Sequence, residues 1–388
     1  MPSAEPLVRV GVAVNKAEVV VGADGSYIVR VAGAETGIAA APGERWTFTA
    51  DKAGRLVGRG GRGRSVGPTT AVVSVVPRGE GAVVIGQRRY RGTALVRAVG
   101  PGRVTAVNVL ELEAYLLGVV PEEIGIRPEA EIEAVKAQAV AARTYAIGNL
   151  GNREALGFDF YATVADQVYS GLEHEAPVVA RAVRETRGEI VTYEGVPILA
   201  YYHSTCGGRT AAIEEVWPHA PLPYLRSVSD AIPGTDRYYC ESSNRFRWTE
   251  TWTGSELAAI LRRTLVEHAG VPAGRVGRIL GLALTGRTPS GRAAGLRVET
   301  DAGTYVVRGD SIRWILRPQA GRLLNSTFIE LDVAADGGEV QGASVGGGGW
   351  GHGVGMCQTG ALGRARAGQS YREILAAYYP DTRIERIY

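Results

Sequence analysis

From residue 7 to about residue 110 the apolar positions fall on alternate residues in short runs. Val8, Val10, Val12 and Val14 alternate with their neighbours, and β-rich runs at 18–21, 27–31, 71–76, 82–85 and 94–99 sit between glycine-bearing turns. A period of two is that of a strand with one buried face, so this stretch predicts a β-rich region. The Gly/Arg-rich segment 54–67, with Arg55, Arg59, Arg62 and Arg64, reads as a solvated hairpin loop. No aromatic residue interleaves its arginines, which weighs against a nucleic-acid-binding loop.

The period then changes. Residues 111–150 read as helical, with a break between Pro121 and Pro128; the first piece begins at Glu113 and ends near Gly118. Over 131–147, Ile132, Val135, Ala139, Ala142 and Ala146 form one apolar stripe, and Ala137, Val140, Ala141, Thr144 and Tyr145 occupy the other faces. A helix apolar nearly all round is a buried one. A helix at 178–185 and strand-like runs at 189–193 and 197–202, around the turn Glu194-Gly195, follow. From about residue 249 a helix at 255–268, with Ser255 as N-cap, precedes strand-like runs at 278–285, 295–300 and 304–308, an α+β module. After a glycine tract at 346–355 come two short helices near 358–367 and 370–378.

The 388 residues are 45% hydrophobic and 21% charged, enough for a sizeable core, and no apolar run approaches the ~18 residues of a membrane span. A net charge of +3 implies no strong polyanion field. Lys16, Lys52 and Lys136 are the only lysines among 43 basic residues. Against that arginine bias, a retained lysine points to a need for a compact ammonium. The three cysteines form no CxxC pair, which argues against a zinc ribbon or a thioredoxin-type site. In an exported protein, a Cys206–Cys240 disulfide with Cys357 free is the simplest arrangement.

Glu122 and Glu123 lie between Pro121 and Gly125, on a turn where a side chain can face a cleft; two solvated loop acids is the competing reading. Lys136 and Arg143 share one face of the buried-looking helix, where a cation needs either an anionic partner or a polar cleft. The segment 201–210 ends a strand in a polar, glycine-bearing loop. Adjacent strand residues face opposite ways and no GxSxG elbow is present, so His203 and Ser204 do not read as a nucleophile pair. His203 with Cys206 is too small a set for zinc. The tract 346–355 has seven glycines in ten positions, which implies tight turns or a close approach, with His352 and Gln358 as cleft-lining groups. It lacks the signatures of a phosphate cradle. Trp217, Tyr224, Trp248 and Trp350 are candidates for stacking on sugars, with core packing the default.

These segments together resemble the SpoIID/LytB family, peptidoglycan proteins of the stage II sporulation protein D type. The matching blocks are Tyr115-Leu-Leu-Gly118-Val-Val-Pro-Glu-Glu123, Glu133-Ala-Val-Lys136-Ala-Gln138-Ala-Val-Ala-Ala-Arg143-Thr144-Tyr145 and Asp166-Gln167-Val-Tyr169-Ser-Gly171. They continue with Thr186-Arg-Gly188-Glu-Ile190, Tyr202-His203-Ser204-Thr205-Cys206-Gly207-Gly208, Tyr224-Leu-Arg-Ser-Val228 and Gly349-Trp-Gly351-His352-Gly353-Val-Gly355-Met-Cys-Gln358-Thr-Gly360-Ala361. Their order and spacing cover about 90–388.

The alternation at 1–90 predicts a β-rich N-terminal region, and the helix and strand runs at 249–339 predict an inserted α+β module; the resemblance adds a catalytic core with a buried helix at 91–248 and 340–388, which makes an α+β protein in three parts. It implies lytic transglycosylase chemistry on peptidoglycan glycan strands, with Glu123 as the single acid/base and Glu122 as the adjacent candidate. The implied substrate-binding set is Lys136, Gln138, Arg143, Tyr169, His203, Ser204, Asp230, His352 and Gln358. Lys136 and Arg143 are expected to face substrate or Asp230 more than Glu123. Some members bind zinc through a His/Cys cluster ahead of the Gln-Tyr element; here 158–165 contains neither residue, and no metal or cofactor is expected. Peptidoglycan strands are the implied partner, a cell-wall amidase or membrane partner is admitted, and nucleic acid is not. The implied place of action is outside the cytoplasm, although the chain shows no signal peptide. The rival reading is a non-catalytic wall-binding protein or amidase modifier.

Overall fold

The N-terminal runs form two largely antiparallel sheets in the computed structural model, which describes residues 4–318 and 321–388. In one sheet Leu7–Lys16 pairs with Arg103–Glu111, followed in order by Thr93–Gly100, Val73–Pro77, Tyr27–Val31 and Ile38–Ala40. In the other the order is Arg88–Tyr90, Val83–Ile85, Glu18–Ala23, Arg45–Ala50, Leu56–Arg59 and Ser65–Thr69. The sheets pack on each other and bury Val10, Val21, Tyr27, Trp46, Phe48, Val75 and Val96. Arg103–Glu111 shows no clean alternation because Val104 through Asn108 are all buried, as in a strand covered on both faces. The segment 54–67 is more than a loop. Leu56–Arg59 and Ser65–Thr69 are paired strands, Gly61–Gly63 makes the tip, and Arg64 bonds Glu44.

Helix α1 (Leu112–Ile124) does not end at Gly118. It continues through Pro121, so Glu122 and Glu123 lie in its last turn and not on a loop. Pro121 removes one backbone donor, but only near the C-terminal end, and the helix survives. Gly118 serves close packing instead: a Cβ there would stand 2.6 Å from the Gly171 carbonyl oxygen and 2.6 Å from the Tyr169 ring. Helix α2 (Ile132–Asn149) is buried as its pattern predicts, with Ala134, Val135, Ala137, Ala141 and Ala142 wholly inside. Helix α3 (Pro177–Glu185) packs against α1 and α2. These elements belong to one compact unit, which runs to Thr192 and adds Pro197–Leu199 and Ile384–Tyr388.

The second unit comprises Tyr193–Val196 and Ala200–Arg383. Its helices are α4 (Ile213–Val216), α5 (Gly254–Ala269), α6 (Ser311–Ile315), α7 (Gln358–Arg366) and α8 (Tyr371–Tyr378). Helix α5 is capped by Thr253 rather than Ser255. The Thr253 hydroxyl accepts the Glu256 N–H while the Glu256 carboxylate accepts the Thr253 N–H, a reciprocal capping box. Two three-stranded antiparallel sheets accompany it, one of Trp248–Thr253, Glu339–Gly347 and Ile329–Asp336, the other of Ile279–Leu284, Gly295–Thr300 and Gly303–Arg308. Leu257, Leu261, Leu265, Leu296, Val298, Ile312 and Val345 are part of their shared core. The strand expected at 197–202 is reduced to Val196–Pro197 and Tyr202–His203. The fold is α+β, and no helix among the described residues is long and apolar enough to cross a membrane.

Candidate functional site

The C-terminal end of α1 lies beside the Gln167–Gly171 segment. Val168 N–H donates to Glu123 Oε1 at 3.0 Å, which fixes one carboxylate oxygen of a half-buried acid. Tyr115, two turns earlier, anchors the helix. Its ring packs on Phe160 and Tyr169 at centroid distances of 5.7 and 5.0 Å, and its hydroxyl donates to Gln167 Oε1 at 3.3 Å. Burial, reinforced by the Glu123 charge, pushes the Tyr115 hydroxyl well above its ordinary pKa, so it stays protonated. Glu122 has a different neighbour, and its carboxylate pairs with His174 Nδ1. Burial works against the Glu122 charge, but the bond and the charge of His174 outweigh it and hold the acid below its usual range; His174 is raised in return. His174 belongs to none of the matching blocks and stands in no motif that singles it out.

The expected substrate-binding residues of this unit have protein partners. Arg143 is fully buried in a bidentate ion pair with Glu113, and its Nη1 donates to the Glu189 carbonyl at 3.0 Å. Glu113 also accepts from the Tyr388 hydroxyl at 2.6 Å and the Gly188 N–H at 3.2 Å. Burial opposes its charge, but Arg143 and Tyr388 prevail and hold Glu113 below the usual carboxylate range. Of the two needs a buried cation can meet, Arg143 meets the anionic partner and not the cleft. Lys136 links α2 to α3 through Glu133 and Glu185, both at 2.8 Å. Gln138 and Tyr169 are buried, and the Tyr169 hydroxyl donates to Asn108 Oδ1 at 2.8 Å. A glycan approaching from solvent does not reach Arg143, Gln138 or Tyr169 in this conformation.

In the second unit Tyr202–His203 pairs in parallel with Met356–Cys357, and Thr205 bridges to Trp350. The glycine tract lies along this loop, so its close approach is to the chain itself. A Cβ on Gly351 would stand 2.8 Å from the His203 Cβ, and one on Gly355 would stand 2.0 Å from the Tyr201 carbonyl oxygen. His352 Nε2–H donates to the Tyr202 carbonyl at 2.9 Å, and Val354 N–H donates to His352 Nδ1 at 3.1 Å. Acceptance at Nδ1 requires the neutral ring, in agreement with burial pushing its pKa down to about 4. His203 bonds the Val354 carbonyl at 3.1 Å and is likewise held neutral by burial. Trp217 packs on His352 and Tyr201, each at 5.0 Å, and lines a groove of about 600 Å³ with Glu214, His268 and Arg308. The Ser204 carbonyl accepts from Thr359 N–H at 2.9 Å, and Gln358 opens α7 nearly buried.

Asp230 is wholly buried. Its Oδ1 accepts from the Tyr378 hydroxyl at 2.7 Å and from Arg364 Nη2 at 3.5 Å, while Oδ2 lies 3.6 Å from Cys206 Sγ. It faces thiols and not a cleft, and burial pushes its carboxyl up to about 7. Cys206 and Cys240 are not a disulfide: both thiols are free, 3.4 Å apart, with Cys357 beside them.

An α+β chain whose buried helix packs behind a half-buried helix-end acid is the class that fold and site define. A family model described as Stage II sporulation protein matches residues 101–193, the stretch that contains α1 to α3 and Glu123. A second model, Domain of unknown function (DUF8618), matches residues 231–355. The chain is 31% identical to Stage II sporulation protein D of Bacillus subtilis over 72% of its own length and 76% of that protein's. It is 36% identical to an uncharacterized protein of Brachyspira hyodysenteriae over 70% of its length, and 30% identical to the Amidase enhancer of Bacillus subtilis over 69%. Those matches span 66% and 40% of the two relatives. The chain belongs to the stage II sporulation protein D family.

Proposed function

We propose that this chain is a lytic transglycosylase that cleaves peptidoglycan glycan strands outside the cytoplasm, with Glu123 as its one acid/base group. The observation that carries the choice of residue is the contrast between two adjacent acids. Both lie half-buried in the last turn of α1, but Glu122 is held as an anion by His174, whereas the Glu123 carboxylate is oriented by the Val168 N–H. Glu123 would give its proton to the oxygen between N-acetylmuramic acid and N-acetylglucosamine. The carboxylate would then take the proton of the muramic acid C6 hydroxyl as that oxygen attacks the anomeric carbon, closing a 1,6-anhydro ring. One carboxylate performs both steps, whereas a hydrolytic glycosidase uses two. Asp230, wholly buried among thiols, is no candidate for the second.

Digestion of purified peptidoglycan, intact and stripped of stem peptides, with the products identified by mass, tests this. Anhydro-ended fragments are expected from the wild type and not from Glu123→Gln. Reducing ends would mean hydrolysis by water, and undiminished anhydro products from Glu123→Gln would sink the assignment. The name of the Bacillus subtilis Amidase enhancer favours a second reading, a non-catalytic partner of a cell-wall amidase. That reading predicts no glycan cleavage and a faster amidase when the chain is added.

A further inference from the structure

We propose that Cys206, Asp230, Cys240 and Cys357 form a tetrahedral zinc site. All four residues are buried, and their ligand atoms, three Sγ and one carboxylate oxygen, lie within 4.8 Å of one another. With Zn–S near 2.3 Å and Zn–O near 2.0–2.2 Å, the ligand atoms of a tetrahedral zinc stand roughly 3.5–3.8 Å apart. Cys206 Sγ lies 3.4 Å from Cys240 Sγ and 3.6 Å from Asp230 Oδ2. A central ion therefore requires only small side-chain adjustments.

The surroundings suit metal ligands. Cys357 Sγ accepts the N–H groups of Cys206 and Gly360, both at 3.2 Å, an arrangement that stabilises a thiolate. Tyr378 and Arg364 occupy Asp230 Oδ1 and leave Oδ2 on the sulfur side, which is how outer partners orient a carboxylate ligand. Three thiolates and one carboxylate around a dication leave about two negative charges. Two buried guanidinium groups offset them: Arg364 at Asp230, and Arg292, which donates to the carbonyls of Cys206 and Arg209 at 3.1 and 3.0 Å. Three soft sulfurs exclude calcium and magnesium, which take oxygen ligands, and favour zinc.

All four directions are supplied by the protein and none opens to solvent, so the ion is structural and not catalytic. Cys240 precedes the strand Trp248–Thr253, and Cys357 follows the strand Glu339–Gly347. The two ends of the intervening chain thus meet at one ion, with Cys206 and Asp230 added from earlier loops. The site is independent of the proposed reaction. It is also distinct in sequence from the stretch 158–165, which contains no Cys or His.

The test uses the full chain, produced with zinc in the medium and purified without chelator. Mass-spectrometric metal analysis is expected to give about one zinc per chain, and a thiol reagent is expected to count three thiols once the chain is unfolded with chelator. Cobalt substitution is expected to show thiolate-to-cobalt charge transfer and tetrahedral ligand-field bands. Cys357→Ser should lower the bound zinc at least tenfold; where that variant does not fold, the wild-type measurements decide alone. A folded chain free of metal, iron in place of zinc, or a Cys206–Cys240 disulfide with one remaining thiol overturns the proposal.

Discussion

Arg143 and Glu113 face each other as a two-pronged ion pair, Nε to Oε1 at 2.8 Å and Nη2 to Oε2 at 2.7 Å. Through Glu189 and Tyr388 the pair ties α1 and α2 to the strand Glu189–Tyr193 and to the C-terminal residues. Deleting one partner strands the other charge in the interior, at a cost of about 3–5 kcal/mol. Arg143→Met is therefore expected to lower the unfolding free energy by that amount in a urea titration. The double variant Glu113→Gln/Arg143→Met should recover part of the loss, since both charges leave together. A double variant as weak as the sum of the single ones would show that the two residues act independently.

Acid is expected to weaken the fold in two stages. Burial holds His203 and His352 neutral, the latter down to about pH 4. In an unfolded chain these rings protonate near pH 6.5, so the two histidines make stability fall from about pH 6.5 toward 4, offset in part by Asp230, whose carboxyl, raised to about 7, takes up its proton in the folded state first. Glu113 has a depressed pKa, so its contribution is complete above its ordinary value of 4.5 and is lost as the pH falls below it. Melting temperatures between pH 7.5 and 3.5 separate the two. His352→Gln, which keeps a donor for the Tyr202 carbonyl and an acceptor for the Val354 N–H, should flatten the upper stage and spare the lower. An unaltered slope between pH 6.5 and 4 would remove His352 as its cause.

How much of this was legible differs from element to element. The buried helix was, because eighteen residues from Ile132 to Asn149 carry enough apolar positions to define their faces. The need of Arg143 for a partner was legible too, but not that partner. Glu113 lies thirty residues away, and only the packing of α1 on α2 joins them. The full length of helix α1 is not legible, because Gly118 and Pro121 are ordinary stop signals. The close approach of Gly171, which explains Gly118, is a tertiary fact. The thiol cluster was hidden for the same reason. Its members come together through the parallel pairing of His203 with Cys357 and not through any spacing along the chain.

The two neighbouring acids should separate cleanly in kinetics. Loss of a general acid lowers the rate by ~10²–10⁴-fold, the range expected for Glu123→Gln. Glu122→Gln and His174→Ala only break a half-exposed pair, so each should change the rate of glycan release by less than ~10-fold. The measurement is the initial rate of soluble fragment release by each folded variant. A large loss in Glu122→Gln with normal rates in Glu123→Gln would move the acid by one residue.

Gly118→Ala offers a test of how the site is positioned. In an exposed helix interior, alanine for glycine stabilises by up to ~1 kcal/mol. Here the added methyl meets the Gly171 carbonyl oxygen and the Tyr169 ring, each at 2.6 Å, and neither is the free end of a flexible side chain. Overpacking of this kind costs about 1–3 kcal/mol, so the sign should reverse and the variant should be less stable than the wild type in urea. The helix can relieve the contact only by moving away from the segment that carries Val168, whose N–H holds the Glu123 carboxylate. Glycan release by the folded fraction should therefore fall as well, because small displacements of an acid are costly in rate. A Gly118→Ala chain that is more stable and fully active would mean that α1 does not need its close seat on Tyr169 and Gly171.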